Sequence, residues 1–154
     1  MSQLKRDEPV FVSDLLSAMQ ELAPQELAEP WDTIGLQIGD PHDTVQGVLL
    51  TLDLTKEALQ QAQRSGCNLI ICHHPLIFHP LPALRRDDPA QAFVMRLIEH
   101  KMNVLIAHTN LDLAPGGVAD CLADSLCRQL PVVEKEENHA EGVQHEGIRY
   151  GRLI

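Results

Sequence analysis

Residues 68–75, with the sequence NLIICHHP, decide the fold of this chain. The apolar run at residues 68–72 has the length and composition of a strand that is covered on both faces. Pro75 ends the strand because proline lacks a backbone N–H, and it keeps His74 near extended geometry. The stretch therefore predicts a buried strand whose carboxyl end presents His73 and His74.

Strand and helix patterns alternate on both sides of this stretch. Apolar runs at residues 47–52 and 103–107 predict two further strands, and residues 30–40 contain a short one among loop residues. Helical spacing predicts four helices: residues 12–22 with Ser13 as N-cap, residues 55–65 with Thr55 as cap, a helix opening at Asp88-Pro89, and residues 118 to about 130. This alternation is typical of α/β proteins, so we expect one domain over residues 1–154 with a mostly parallel sheet and helices on both faces.

The last part of the chain shows weaker patterns. Residues 134–142 (EKEENHAEG) are polar and predict a solvated loop. Residues 147–154 have the composition of the start of another strand.

Composition excludes several classes of function. Twelve basic and twenty-two acidic side chains give a net charge of −10, which repels phosphate backbones, and the chain has only one Trp, one Tyr and three Phe for base stacking. No apolar stretch has the roughly 18 residues of a membrane span. Four cysteines without a CxxC pair are typical of a reducing compartment. We therefore expect a cytoplasmic protein that binds neither nucleic acid nor membrane.

Two histidines at a strand end are the first candidate site. Because side chains alternate along a strand, the adjacent His73 and His74 can address two different ions only if the strand ends there. Neutral imidazole is a common ligand of transition metals. The alternative is that one histidine caps the strand and the other is solvated.

Residues 108–112 (HTNLD) are the second candidate, at the end of the strand predicted over residues 103–107. Carboxyl ends of parallel strands share one edge of a sheet, so His108 and Asp112 should approach the first pair. A carboxylate such as Asp112 can bridge two cations held about 3.5–4 Å apart. Alone, the segment would more often form a turn.

Two weaker candidates lie nearby. Asp53 follows the strand at residues 47–52 and could accept a hydrogen bond from a ligand histidine, or it could cap the next helix. Gly116 and Gly117 could cradle an anion at a helix start, or form a turn.

The order and spacing of four segments resemble a known family: WDTIGLQIGD, GVLLTLD, GCNLIICHHPLIFHPL and NVLIAHTNLDLAPGGVADCLADSL. They resemble the Nif-three-like family of dinuclear metal centre proteins, also named type-two GTP cyclohydrolase I homologues. The resemblance implies a toroidal homohexamer with two divalent metal ions (Zn, Mn, Fe, Co or Ni) in each complete subunit. Its HHP histidines fall on His73 and His74 and its bridging aspartate on Asp112, while His108 matches an outer or weaker ligand.

The sequence departs from the family pattern near its end. The family completes its pocket with a His and a Glu four residues apart, and residues 134–154 contain no such pair. His145 and Glu146 are adjacent and lie too early. We therefore expect the first half of a longer fold, either a fragment or a shortened product that lacks two of the family's five ligands.

Two functions follow from these patterns. The first is a hydrolase in which a metal-activated water attacks a small molecule, with GTP as the substrate that the resemblance implies. The alternative is a non-catalytic scaffold that oligomerises or binds a partner and carries an incomplete metal site.

Overall fold

A computed structural model describes residues 8–129, and these form a four-stranded sheet in the order β1-β4-β3-β2. The strands are β1 (Gly35–Ile38), β2 (Val48–Thr51), β3 (Leu69–Cys72) and β4 (Asn103–Ile106). Strands β2, β3 and β4 are parallel, and β1 pairs with β4 in the antiparallel sense. The predicted mostly parallel α/β fold is thus confirmed, while the predicted loop at residues 134–142 and strand at residues 147–154 lie outside the described residues.

In the described part of the chain, five α-helices accompany the sheet: α1 (Val12–Leu22), α2 (Lys56–Arg64), α3 (Pro89–Glu99), α4 (Thr109–Leu113) and α5 (Val118–Gln129). The four predicted helices are confirmed, and α4 was not predicted. Helix α3 begins as expected, because the Asp88 carboxylate accepts hydrogen bonds from Ala90 N–H and Gln91 N–H. Within residues 8–129, no helix is long and apolar enough to cross a membrane.

The start of α1 differs from the sequence prediction. Its N-cap is Phe11 and not Ser13, which lies inside the first turn. Loop carbonyls accept the free N–H groups of this turn: Val12 donates to Asp43 O at 2.9 Å and Ser13 to Pro41 O at 2.9 Å. The backbone of that loop therefore replaces the hydroxyl cap that the sequence suggested.

The core lies mainly on one face of the sheet. Alternate strand residues pack there with α2 and α3, in a cluster that includes Ile70, Cys72, Val104, Ile106, Leu59, Ala62, Phe93, Val94 and Leu97. Both crossover helices lie on this face, as right-handed connections require when the sheet grows in one direction. On the other face, Leu16 and Met19 of α1 meet Leu105 around a cavity of about 20 Å³. That second face is only partly covered, since Leu50 of β2 is 72% exposed.

A buried amide joins β1 to the sheet at the end opposite His73. The Asn103 side chain accepts a hydrogen bond from Asp40 N–H at 2.9 Å and donates to Asp43 Oδ2 at 3.2 Å. Gly39 passes directly over it with φ +118°, and a Cβ at this position would lie 1.8 Å from Asn103 Oδ1. The contact therefore requires a glycine at position 39 and a short polar side chain at position 103.

We predict that Asn103→Ala lowers the free energy of unfolding by about 1–3 kcal/mol, because Asp40 N–H loses its buried acceptor. Urea denaturation of the purified chain measures this change. The exposed Gln60→Ala on α2 is the control and should leave the midpoint unchanged. Equal midpoints for the two variants would show that the amide does not fasten β1.

Candidate metal centre

The parallel strands β2, β3 and β4 end at the same level, at one edge of the sheet. Thr51, Cys72 and Ile106 are paired across β2, β3 and β4. Backbone pairing continues beyond them, with His73 N–H donating to Thr51 O at 3.1 Å and Ala107 N–H to Cys72 O at 3.1 Å. The side chains that follow each strand are therefore brought together by the register of the sheet.

Three histidines meet at this edge. One ring nitrogen from each of His73, His74 and His108 lies within 4.8 Å of the others. The ring centroids are 5.1 Å apart for His73 and His74, 5.2 Å for His73 and His108, and 5.9 Å for His74 and His108. His73 and His108 are largely buried, whereas the His74 side chain is 48% exposed.

Each of these histidines has its Nδ1 atom engaged by a protein acceptor. His73 Nδ1 lies 2.9 Å from Ala107 O, His74 Nδ1 lies 2.6 Å from Asp53 Oδ1, and His108 Nδ1 lies 3.0 Å from Asp32 Oδ1. A carbonyl or carboxylate oxygen only accepts, so Nδ1 carries the proton in each ring. The remaining Nε2 atoms are then available as ligands, which is the usual arrangement of metal-binding histidine.

Asp112 reaches the same edge through α4. Its N–H donates to His108 O at 3.1 Å, so one helical turn returns the chain towards the histidines. Asp112 Oδ1 lies 3.5 Å from His73 Nε2. The structure thus brings together all four candidate residues of the two motifs: His73, His74, His108 and Asp112.

The structure bears on both weaker candidates, Asp53 and the glycine pair Gly116 and Gly117. Asp53 does not cap α2, because Thr55 is the N-cap and its side chain accepts from Ala58 N–H. Gly116 N–H donates to the Asp120 carboxylate at 2.7 Å and Gly117 N–H to Ala114 O at 2.9 Å. Those two N–H groups already have protein acceptors, so the turn interpretation of the glycine pair is favoured.

Sequence reasoning missed Asp32. Its side chain is fully buried and accepts hydrogen bonds from Thr33 N–H at 2.7 Å, Thr109 N–H at 3.0 Å, the Thr109 hydroxyl and His108. Burial alone would raise the pKa of this carboxyl, but the hydrogen bonds outweigh it and hold the pKa below its ordinary value. In the sequence, Asp32 is only an acidic residue beside Trp31 in a loop-like segment. Such a segment has no periodicity that would predict burial of its side chain.

Cys72 lies directly before the histidines but is a poor ligand. Burial, together with the nearby Asp53 carboxylate, raises the pKa of its thiol. The Sγ atom lies 3.2 Å from both Leu52 O and His74 O, so the thiol proton has acceptors. A protonated, buried thiol behaves as a small apolar core residue.

The donor set of this edge suits a divalent transition metal. Three imidazoles with Nε2 available and one carboxylate are the ligand types that Zn, Mn, Fe, Co and Ni accept. The side chains that hold the rings are also in place, and such partners are common around metal sites. The residues present therefore fit a metal ion.

Comparison with known proteins identifies the family. Residues 10–148 match the model of the family described as Duf34/NIF3 (NGG1p interacting factor 3). The chain belongs to the Duf34/NIF3 family. This assignment confirms the resemblance seen in the sequence.

Relatives of this Duf34/NIF3 chain are longer than it is. A Lactococcus lactis protein named GTP cyclohydrolase 1 type 2 homolog is 37% identical over 127 residues, which cover 82% of this chain and 49% of that protein. The crystal structure of Staphylococcus aureus protein SA1388 matches with a TM-score of 0.73 and 40% identity, over 76% of this chain and 39% of that one. A Bacillus cereus protein related to NIF3 matches with a TM-score of 0.74 and 39% identity, over 78% and 33%. The chain thus spans half or less of these relatives.

The two carboxylates that hold histidines should differ in their contribution to stability. We predict that Asp32→Ala lowers the free energy of unfolding by about 2–4 kcal/mol, because several buried donors lose their acceptor. Asp53 is 60% exposed, and Asp53→Ala should cost less than about 1 kcal/mol. Urea denaturation without added metal compares the two variants, and equal losses would show that burial does not distinguish these carboxylates.

Proposed function

We propose that this chain contributes the first part of a dinuclear divalent-metal centre in a metal-dependent hydrolase. The observation that carries the proposal is the cluster of His73, His74 and His108, whose ring nitrogens lie within 4.8 Å while each Nδ1 is held by a protein acceptor. Family membership and the names of the relatives support it.

The ligands have distinct roles in this proposal. His73 and His74 bind the metals through Nε2, and the Asp112 carboxylate bridges two cations and offsets their mutual repulsion. His108 presents Nε2 to the same space, where it can bind a cation or orient water. When bound, a divalent cation supplies Lewis acidity that lowers the pKa of water from about 15.7 towards about 7.

A second ion needs more donors than this edge of the sheet provides. Three imidazoles and one carboxylate are enough for a single four-coordinate ion. We propose that two ions are bound in each complete subunit and that the further ligands lie outside residues 8–129. The relatives are at least twice as long as the matched part of this chain, which is consistent with that division.

The substrate in this proposal is a small molecule with an electrophilic carbon or phosphorus atom. GTP is the specific candidate, because several relatives carry the name GTP cyclohydrolase 1 type 2 homolog. The net charge of −10 disfavours nucleic acid as a partner. We also propose a cytoplasmic homo-oligomer, with the hexamer of the family resemblance as its form.

Elemental analysis of the purified 154-residue chain tests the metal site. We expect near-stoichiometric divalent metal in the wild type and none in the His73→Ala/His74→Ala double variant. Asp112→Asn should lower metal content more than His108→Ala, because Asp112 is a direct ligand in this proposal whereas His108 can instead orient water. Absence of metal from the wild type, or its retention in the double variant, would refute the site. Equal losses for the two single variants would remove the distinction between Asp112 and His108.

A groove beside His73 favours the scaffold as a second candidate. This open groove, of about 600 Å³, lies on the poorly covered face of the sheet and is lined mainly by aliphatic side chains, among them Leu22, Leu50, Leu52, Ile71, Leu111 and Val118. Three apolar residues of α5 at every fourth position are also exposed: Val118, Leu122 and Leu126. Contiguous apolar surface of this kind marks an interaction surface.

We predict that the chain self-associates or binds a hydrophobic dye through this groove. Leu50→Ser should reduce both effects, since Leu50 is 72% exposed within the lining. Ile98→Ser on α3, an apolar residue 50% exposed elsewhere, is the control and should leave both unchanged. Sedimentation velocity and dye fluorescence measure the outcome, and a wild-type monomer that binds no dye would contradict the scaffold.

A further inference from the structure

Two exposed aromatic rings lie beside the histidine cluster and have no part in metal binding. Trp31 is 57% exposed and Phe78 is 39% exposed. Their ring centroids are 5.9 Å apart at 51°, and the Trp31 ring stands edge-on to His108 at 6.4 Å and 72°. We call Trp31 and Phe78 the aromatic wall. It adjoins the cluster directly, because His108 contacts the wall and belongs to the cluster.

The chain segments that carry the wall are fastened to each other and to the site. Next to Trp31, the buried Asp32 carboxylate accepts hydrogen bonds from His108 and Thr109. Next to Phe78, Ile77 O accepts from the Thr33 hydroxyl at 3.0 Å and Ile77 N–H donates to Gln37 Oε1 at 2.9 Å. The backbone that carries both rings is therefore held by hydrogen bonds, so little backbone entropy is lost when a ligand binds the rings.

Exposure of this tryptophan requires a physical explanation. An indole normally buries most of its apolar surface, and this one leaves more than half of it in solvent although it contacts two other rings. An exposed aromatic face next to metal ligands is a surface on which another planar ring can stack. Among the Phe and Trp side chains of residues 8–129, Phe11 is the other exposed one, and its backbone pairs with Thr44 rather than with the site.

We propose that the aromatic wall binds the face of a planar nitrogen heterocycle, such as a purine, in a small molecule whose reacting atom reaches the histidine cluster. The choice of a small molecule rests on the proposed function, while the stacking surface rests on the geometry of Trp31 and Phe78. A single base-sized ring can lie on Trp31 and still adjoin His108, because the two ring centroids are 6.4 Å apart. The wall thus determines the class of ring that the site accepts.

The single tryptophan makes the test direct, since all indole fluorescence of the chain comes from Trp31. Guanosine monophosphate and ribose 5-phosphate form a matched pair of probes that differ only in the base. With excitation at the red edge of the indole band, guanosine monophosphate should quench the fluorescence to saturation and ribose 5-phosphate should not. Equal responses to the two probes would overturn the proposal.

Variants measured by calorimetry separate stacking from folding. Trp31→Leu should weaken binding of guanosine monophosphate by about 5- to 150-fold, the range expected for loss of one aromatic face, and Trp31→Phe should retain most of the affinity. Ile98→Ala, a comparably exposed apolar residue on α3, should bind as the wild type does. Wild-type affinity in a folded Trp31→Leu variant would refute the aromatic wall. If that variant does not fold, the same comparison of affinities is made with Phe78→Leu, together with the fluorescence test on the wild type.

The two proposals fail in different ways. Loss of the proposed function would appear as absence of metal from the wild-type chain, whatever the probes do. Failure of the aromatic wall would appear as equal responses to guanosine monophosphate and ribose 5-phosphate, whatever the metal content. The metal content of Trp31→Leu should equal that of the wild type, because its side chain contributes no ligand atom.

Discussion

The common register of three parallel strands is the constraint on which the site depends. Because Thr51, Cys72 and Ile106 stand side by side, the residues that follow them leave the sheet at the same height. A slip of one residue in β3 would exchange the faces of its side chains and separate His73 from His108. The apolar packing of α2 and α3 against Ile70 and the neighbouring strands opposes such a slip, so the core fixes the geometry of the polar edge.

Hydrogen bonds to the three histidine rings then fix how each ring is oriented at this edge. The three rings are held by three unlike acceptors: a backbone carbonyl, an exposed carboxylate and a buried carboxylate. Each acceptor comes from a different part of the chain, namely the end of β4, the end of β2 and the loop before β1. The cluster therefore forms only when all three segments are in place, which ties the arrangement of the three rings to folding.

Much of the fold could be predicted from the sequence, because the strands are near-continuous apolar runs and the helices carry an apolar stripe. The motif residues His73, His74, His108 and Asp112 could be placed on one edge for the same reason. Asp32 and the helix α4 could not, since both depend on contacts between segments about 75 residues apart, such as the bond from His108 to Asp32. Ser13 was misassigned as a cap because a distant loop carbonyl replaced its role, and no local pattern reports such a replacement.

The antiparallel strand β1 gives the site a mechanical link to the far end of the sheet. Its four residues, Gly35–Ile38, span about 13 Å at about 3.3 Å per residue. The strand follows the Asp32 loop and leads into Gly39, which passes over the buried amide of Asn103. Any side chain at position 39 would displace that amide and disturb the fastening of the strand. Asp32, whose carboxylate accepts a hydrogen bond from His108, lies three residues before this strand. The setting of the histidine cluster therefore depends on packing at a place with no chemistry of its own.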